Sequence, residues 1–154
     1  MKRFQFPLDR VLRYRQIQAE AEEAKLQALL AKLAELDRGI AQFEAEGRRT
    51  EDAVRQSLAA NREVVSGEMV SYPNYRFVLA RGKRAMLEER RRRMNAVEQQ
   101  QASALAAYRA CEILARARTK ARERWQSEYT KEMDALAGEL FLNKWTPPRR
   151  KPTS

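Results

Sequence analysis

The chain has 154 residues, a net charge of +10 and a sequence pI near 10.2, with only 5 glycines and 5 prolines. Charged residues make up 34% of it and aromatic residues 8%, a balance typical of long helices and coiled coils rather than of a compact globule. There is no histidine, the commonest general base and metal ligand, and a single cysteine excludes an internal disulfide. We therefore expect a protein that is not an enzyme, with no catalytic residue, cofactor or metal site.

The first half of the chain predicts one long helix, over about residues 7–64. Pro7 suits its first turn, where the missing N–H of proline matters little. From Leu26 onward, apolar and small residues recur at alternating steps of three and four, the 3.5-residue repeat of a coiled coil. We call the row that faces the partner helix the seam. On this helix its predicted members are Leu26, Leu29, Leu33, Leu36, Ile40, Phe43, Gly47, Thr50, Val54 and Leu58, while Arg15 and Glu22 interrupt the looser stripe before them.

The chain is predicted to reverse over residues 65–71. Ser66-Gly67 is a turn pair, and Ser71 followed by Pro73 is typical of a helix start with Ser71 as its N-cap. A second helix over about 72–142 follows. Its predicted seam contains Tyr75, Leu79, Gly82, Met86, Met94, Val97, Gln101, Ala104, Tyr108, Cys111, Ala115, Arg118, Arg122, Trp125, Tyr129, Met133, Leu136 and Leu140.

Two long seams joined by one short turn predict an all-α fold, two long helices in an antiparallel coiled-coil hairpin. We expect a single domain over residues 1–143 that is monomeric by itself. A parallel homodimer of long helices is the alternative, which the turn at Ser66-Gly67 disfavours. Residues 144–154 form a basic, proline-rich tail that we expect to be disordered.

The positive charge is concentrated in the second half of the chain. Residues 8–64 hold 10 basic and 11 acidic side chains, whereas residues 72–143 hold 15 basic and 9 acidic ones. The densest basic run is Arg90 to Arg93, which is either a solvated face paired with nearby glutamates or a contact for an acidic partner. Nucleic-acid binding is not expected, because no groove-reading fold or exposed aromatic platform is evident.

Two groups of aromatic residues allow two interpretations each. Trp125, Tyr129, Phe141 and Trp145 form either an apolar cap on the coiled coil or a docking surface where both termini meet. Tyr72, Tyr75, Leu79 and Met86, at helical spacing beside the turn, are either the last seam layers or an exposed stripe for a partner. No stretch approaches the roughly 20 apolar residues of a membrane span, and residues 1–12 lack the apolar core of a signal peptide. We therefore expect a cytoplasmic protein.

Three short motifs, in order along the chain, resemble the flagellar export protein FliJ family. The first is Phe4-x-Phe6-x-Leu8-x-x-Val11-Leu12-x-x-Arg15, followed by Glu20. The second is Gly67 and then Tyr72-x-x-Tyr75-x-x-x-Leu79, and the third is Lys131-x-Met133-Asp134-x-Leu136. Ala135 departs from the family's pattern, in which an acidic residue often follows the aspartate, and Gly82 stands where a small alanine-like residue is found.

The resemblance implies a fold and a set of partners. Members of this family are antiparallel two-helix coiled coils that act as the central stalk of the hexameric flagellar type III export ATPase and promote its assembly and activity. They also contact the cytoplasmic domain of the export gate protein and bind export chaperones. This resemblance implies a location at the cytoplasmic base of the flagellar export apparatus, peripheral to the inner membrane.

Carried over residue by residue, the resemblance implies two partner-binding sets. The gate set is Tyr72, Tyr75, Leu79, Gly82 and Met86. The ATPase-ring set is Phe4, Phe6, Leu8, Leu12, Arg15, Trp125, Tyr129, Met133 and Leu136. Three alternatives stay open: the equivalent stalk of a type III injectisome, a basic coiled coil that binds nucleic acid or a membrane surface, and a generic dimeric coiled coil.

Overall fold

The computed structural model describes residues 3–60 and 66–145, which form two α-helices, α1 (Asp9–Ala59) and α2 (Ser66–Trp145). The described residues contain no strand, and the two helices pack against each other as a helical hairpin, which confirms the predicted all-α fold. Neither helix contains a stretch long and apolar enough to cross a membrane. The chain forms two compact units: a middle unit, Ala19–Ala107, and a terminal unit made of the residues up to Gln18 and from Tyr108 onward.

The start of α1 is set by a turn at Pro7. The amide of Asp9 donates to the carbonyl of Phe6 at 3.1 Å, and the amide of Leu12 donates to the carbonyl of Leu8 at 2.8 Å. Pro7 therefore occupies the second position of a β-turn, which its fixed φ favours, and α1 begins two residues later than predicted. Asp9 opens the helix and pairs with Arg13 at 3.1 Å, so a carboxylate lies at the positive end of the helix dipole.

The predicted turn over 65–71 is wrong for residues 66–71, because α2 already begins at Ser66 and Pro73 lies inside it. A proline removes its own N–H donor and its ring crowds the carbonyl four residues earlier, so a helix that continues through it bears a cost of about 3 kcal/mol. At its other end α2 extends to Trp145 and includes Lys144, which the prediction assigned to the tail. Residues 61–65 and the remainder of the predicted tail, 146–154, lie outside the described residues.

The core of the middle unit is thin. Leu26 and Leu33 of α1 and Val97 and Ala104 of α2 are its buried residues, with Leu29 and Leu30 packed against them. The α1 residues predicted for the seam are buried or half-buried here, with the exception of Leu58, which is exposed. Since each layer contains only one or two apolar side chains per helix, the stability of the unit depends on many small contacts along the seam.

At alternate positions of the α2 seam, the residue that packs towards α1 is one place earlier in the sequence than the predicted residue. Val97, Ala104, Cys111 and Trp125 are buried or half-buried as predicted, whereas Met94, Gln101, Tyr108 and Arg122 are exposed. Their predecessors Arg93, Gln100, Ala107 and Ala121 are half-buried instead. The prediction stepped eight residues from Met86 to Met94 to reach a large apolar side chain. The helix instead keeps a seven-residue repeat and places the aliphatic stem of Arg93 there.

Three glycine layers bring the helices of the middle unit together. A Cβ added to Gly39 would lie 3.7 Å from Cε of Met86, and one added to Gly47 would lie 3.7 Å from Cδ1 of Leu79. In the layer between them the roles are reversed, because a Cβ on Gly82 of α2 would lie only 2.9 Å from Cζ of Phe43. A large apolar side chain of one helix thus packs onto a glycine of the other in each layer.

Polar contacts align the same two helix segments. Ion pairs join Arg90 Nε to Asp37 Oδ1 at 2.7 Å, Lys83 Nζ to Glu44 Oε1 at 2.7 Å, and Arg76 Nε to Glu51 Oε1 at 3.9 Å. Successive pairs are seven residues apart on both helices, and the numbers rise on α1 as they fall on α2. The order therefore establishes the antiparallel direction. Exposed ion pairs add little stability, but this ladder disfavours a shift by one helical turn, which would separate all three pairs.

Glu22 provides a further alignment at the seam. Gln100 Nε2 donates to Glu22 Oε2 at 2.6 Å and to the Glu22 carbonyl at 3.0 Å. The predicted break at Glu22 is therefore a polar pair across the seam. Hydrogen bonds from Lys25 and then Gln100 lower the pKa of Glu22 below its ordinary value, so the carboxylate stays ionised in this layer.

We predict that Pro73→Ala stabilises the protein by about 1–3 kcal/mol, because it restores a backbone hydrogen bond inside a helix that begins at Ser66. Urea unfolding followed by circular dichroism measures the change. If α2 began at residue 72, Pro73 would lie in the first turn, where its N–H has no intrahelical partner, and the substitution would bring no gain.

We also predict that Gly82→Ala and Gly138→Ala have different effects, although both replace a glycine within α2. Gly138→Ala should stabilise by up to about 1 kcal/mol, because its Cβ would meet nothing within 4 Å and alanine favours the helix. Gly82→Ala should lose that gain or destabilise, because the new Cβ displaces the Phe43 ring. Equal stabilisation by both, in the same unfolding assay, would contradict the packing of Phe43 onto Gly82.

Candidate partner-binding surfaces

The five residues of the predicted gate set lie on the stripe of α2 that faces α1. Tyr72, Tyr75, Leu79, Gly82 and Met86 are all half-buried. The Tyr75 hydroxyl donates to Oγ1 of Thr50 at 3.1 Å, and the last three of the set form the glycine layers described above. Of the two interpretations left open by the sequence, the structure supports the first: this stripe belongs to the seam.

An open recess of about 360 Å³ borders the stripe and gives partial access to it. Its lining residues are Phe43, Glu44, Gly47, Arg48, Glu51, Arg76, Leu79, Ala80 and Lys83. The floor is apolar, and the rim carries two of the ion pairs that connect the helices, Lys83–Glu44 and Arg76–Glu51. A partner can therefore reach the edges of Leu79 and Phe43 here without opening the seam. The sequence did not indicate this recess, because its two walls are separated by about thirty residues.

The rim is electrostatically arranged around Glu44. The hydrogen bond from Lys83, together with the positive charges of Lys83 and Arg48, holds the pKa of Glu44 below its ordinary value of 4.5. Three cations, Arg48, Arg76 and Lys83, thus surround two carboxylates at this recess. The surface is suited to a partner with an apolar side chain and few like charges, since most of its charge is already internally paired.

The basic run Arg90 to Arg93 is paired within the protein. Arg90 binds Asp37 of α1, Arg91 and Arg92 approach Glu88 at 3.0 and 3.8 Å, and Arg93 approaches Glu89 at 2.9 Å. Arg93 also donates to the carbonyl of Lys32 at 3.0 Å. These contacts favour the interpretation of a helical face whose charges are satisfied internally.

The α1 part of the predicted ring set is divided between core and surface. Leu12 exposes only 3% of its area and belongs to the core of the terminal unit, so no partner can contact it without unfolding. Phe4 and Phe6 are half-buried, and Leu8 is exposed. Arg15 is exposed and donates to Oε1 of Gln18 at 3.2 Å. Only the edge of this segment is therefore available for binding.

The α2 part of the ring set begins with an aromatic cluster. The ring of Phe4 lies 5.9 Å from that of Trp125, which stacks on Tyr129 at 5.5 Å with an interplanar angle of 21°. Of the four residues predicted for an apolar cap, Trp125 and Tyr129 form one with Phe4, whereas Phe141 and Trp145 are exposed. Beyond Trp125 every residue of α2 from Gln126 to Trp145 is exposed, including Met133, Leu136 and Leu140, which continue the seam spacing.

A basic recess of about 790 Å³ adjoins this cluster, and sequence reasoning missed it. Phe4, Phe6 and Asp9 line it together with four arginines, Arg3, Arg10, Arg13 and Arg118, and with Gln5 and Pro7. Asp9 is paired with Arg13 at 3.1 Å and approached by Arg118 at 3.5 Å, so the recess retains a positive excess. The sequence suggested Arg118 only as a polar seam residue, because nothing local connects it with residues a hundred positions earlier.

The chain was also compared with known proteins. No protein-family model, curated protein or solved structure matches it. The resemblance to the FliJ family therefore stays a prediction from the motifs, and the surfaces described above are the independent observations on which a function can be argued.

We predict that Glu44→Gln lowers the midpoint of thermal unfolding near neutral pH and that the difference from the wild type shrinks on acidification. A carboxyl whose folded pKa is lowered contributes stability above its unfolded pKa of about 4.5, and loses that contribution as the pH falls through the folded value. Glu46→Gln is the matched control, because Glu46 is exposed on the same helix and makes no cross-seam ion pair among the described residues. A difference independent of pH would contradict the Lys83–Glu44 contact.

Proposed function

We propose that the protein is a non-enzymatic stalk that binds the hexameric ATPase of the flagellar type III export apparatus and promotes its activity. The observation that supports this most directly is the exposed face of α2 beyond Trp125. Met133, Leu136 and Leu140 keep the seam spacing there, but no α1 residue in the described part of the chain covers them. Uncovered apolar residues that continue a coiled-coil seam are suited to helix-in-groove binding by a partner.

The dimensions of this segment suit a shaft entering a ring. The helix from Gln126 to Trp145 extends for about 30 Å at 1.5 Å per residue. A single helix is narrower than a helical pair, so it can occupy a confined channel. The basic recess formed by Arg3, Arg10, Arg13 and Arg118 lies in the same unit and favours an acidic surface on the ring.

The proposed contact with the export gate is confined to the recess of the middle unit. Because Tyr75, Leu79 and Gly82 face α1, a gate segment would approach Leu79 and Ala80 from the side, between Arg76 and Lys83. With the ATPase and the gate as partners, the protein is proposed to reside at the cytoplasmic base of the apparatus, peripheral to the inner membrane. Export chaperones are further proposed partners.

The test is the rate of ATP hydrolysis by the cognate export ATPase with and without this protein. The wild type should stimulate it, and Met133→Ser/Leu136→Ser should reduce the stimulation at least about tenfold, because truncating central apolar contacts typically costs that much binding. Phe77→Ser is the matched control, since Phe77 is an apolar residue of α2 in the middle unit that is even more exposed than Met133 and Leu136.

The alternatives predict other outcomes. No stimulation and no association with the ATPase at physiological salt would contradict the stalk function. Stimulation of an injectisome ATPase but not of a flagellar one would assign the protein to the injectisome. If both serine substitutions left stimulation intact, the ring contact would have to lie elsewhere than on the exposed face of α2.

A further inference from the structure

The basic recess of the terminal unit holds more positive charge than the chain itself neutralises. Asp9 is the one carboxylate among its lining residues, against the four arginines Arg3, Arg10, Arg13 and Arg118. Arg13 and Arg118 pair with Asp9, whereas Arg3 and Arg10 are exposed and make no ion pair in the described part of the chain. Two guanidinium groups, each with five donors in a planar fork, are therefore available to an anion.

The helix segments that contribute to the recess are basic as a whole. Residues 3–18 hold four basic side chains and one acidic one, and residues 108–125 of the same unit hold six basic and two acidic ones. Past Trp125 the balance reverses, because residues 126–145 hold four acidic side chains and two basic ones. The positive potential is thus confined to the part of the unit that contains the recess.

Asp9 shows which chemistry the recess accepts. Its Oδ2 lies 3.1 Å from Nη2 of Arg13, and its Oδ1 lies 3.5 Å from Nε of Arg118. The recess therefore already holds one carboxylate between two guanidinium groups. A separation of 3.5 Å is long for a charge-assisted hydrogen bond, so Asp9 holds Arg118 only loosely. Asp9 is in effect a weak internal occupant of a carboxylate site.

Apolar side chains lie beside the arginines in the same recess. Phe6 is half-buried, and Pro7 is exposed at the turn that precedes α1. The ring of Phe4 packs against Trp125, with centroids 5.9 Å apart, and still contributes to the lining. An occupant that combines carboxylates with an apolar side chain therefore finds a contact for each.

We propose that this recess binds an acidic peptide segment of a partner protein, in which aspartate or glutamate residues flank an apolar side chain. The carboxylates would pair with Arg3 and Arg10 and displace Asp9 from Arg118, while the apolar side chain would contact Phe6. Asp9 thus competes with the partner and lowers its affinity. The inference rests on the proposed stalk function only for the identity of the partner, the export ATPase, and adds what the recess recognises.

The structure favours a protein segment over a small anion or a nucleic acid. The side chains of Arg13 and Arg118 are 76% and 52% exposed, whereas a small-molecule site encloses most of its ligand. Single-stranded nucleic acid needs aromatic faces for successive bases along a basic track. Here Phe4 already packs against Trp125, and the acidic residues beyond Gln126 would repel a long polyanion that followed α2.

The test is the fluorescence anisotropy of a labelled peptide in which aspartates flank a leucine, titrated with the full chain. The wild type should bind this peptide at least about tenfold more tightly than the same peptide with asparagine in place of aspartate. Arg3→Gln/Arg10→Gln should weaken binding about tenfold, because it removes charge-assisted hydrogen bonds without disturbing an internal ion pair. Asp9→Asn should strengthen binding about fivefold, because it removes the competing charge.

Arg116→Gln/Arg124→Gln is the matched control. It removes two exposed arginines from the same unit, neither of which lines the recess, so binding at physiological salt should stay within about twofold of the wild type. An equal loss in the control and in Arg3→Gln/Arg10→Gln would overturn the proposal, as would weaker binding by Asp9→Asn. Tighter binding of inorganic polyphosphate or of a single-stranded oligonucleotide, dependent on Arg3 and Arg10, would also overturn it and assign the recess to a phosphate ligand.

The titration separates this inference from the stalk function, because it does not use the ATPase. Peptide binding with the expected effects of the variants, but without stimulation of the ATPase, would reject the stalk and retain the acidic-peptide site. Normal stimulation without peptide binding would reject the site in the recess alone.

Discussion

Close packing of side chains onto glycine determines how the two helices of the middle unit meet. Phe43 lies on Gly82, while Met86 and Leu79 lie on Gly39 and Gly47. The Phe43–Gly82 layer has no room for an added Cβ, whereas the other two layers are in ordinary van der Waals contact. The buried core above them contains only four residues, so a one-heptad shift would lose a large part of the apolar contact. The ion-pair ladder and the Glu22–Gln100 pair then add specificity to an alignment that packing already favours.

This close seam also explains where binding can occur. The stripe of Tyr75, Leu79 and Gly82 is occupied by α1, which leaves a partner only the recess along its edge. In the terminal unit the situation differs, because α2 continues past Trp125 with exposed apolar residues. In the proposed stalk, another protein packs against the part of α2 that α1 does not cover. A seam that α1 covers in the middle unit, but not beyond Trp125, is compatible with this proposal.

The sequence predicted the features that depend on periodicity and missed those that depend on tertiary contact. The 3.5-residue repeat predicted two helices and nearly the whole seam of α1. It failed on α2 where Met94 and Tyr108 seemed better apolar candidates than Arg93 and Ala107, because a long aliphatic stem or a small side chain can occupy a seam position. Ser71 and Pro73 predict a helix start, but Pro73 lies inside α2, because a helix can tolerate a proline. The basic recess could not be predicted, since Arg118 reaches Asp9 only in the folded hairpin.

The central claim is that α1 and α2 of one chain pair antiparallel in the register of the glycine layers, and paired cysteines test it most directly. In a Cys111→Ser background, Gly39→Cys/Met86→Cys and Gly47→Cys/Leu79→Cys place thiols in facing positions. The swapped pairs, Gly39→Cys/Leu79→Cys and Gly47→Cys/Met86→Cys, use the same four sites about 10 Å out of register. Mild oxidation should form disulfides within single chains rapidly in the facing pairs and slowly in the swapped ones. Faster oxidation of the swapped pairs, or disulfides mainly between chains, would contradict the hairpin described here.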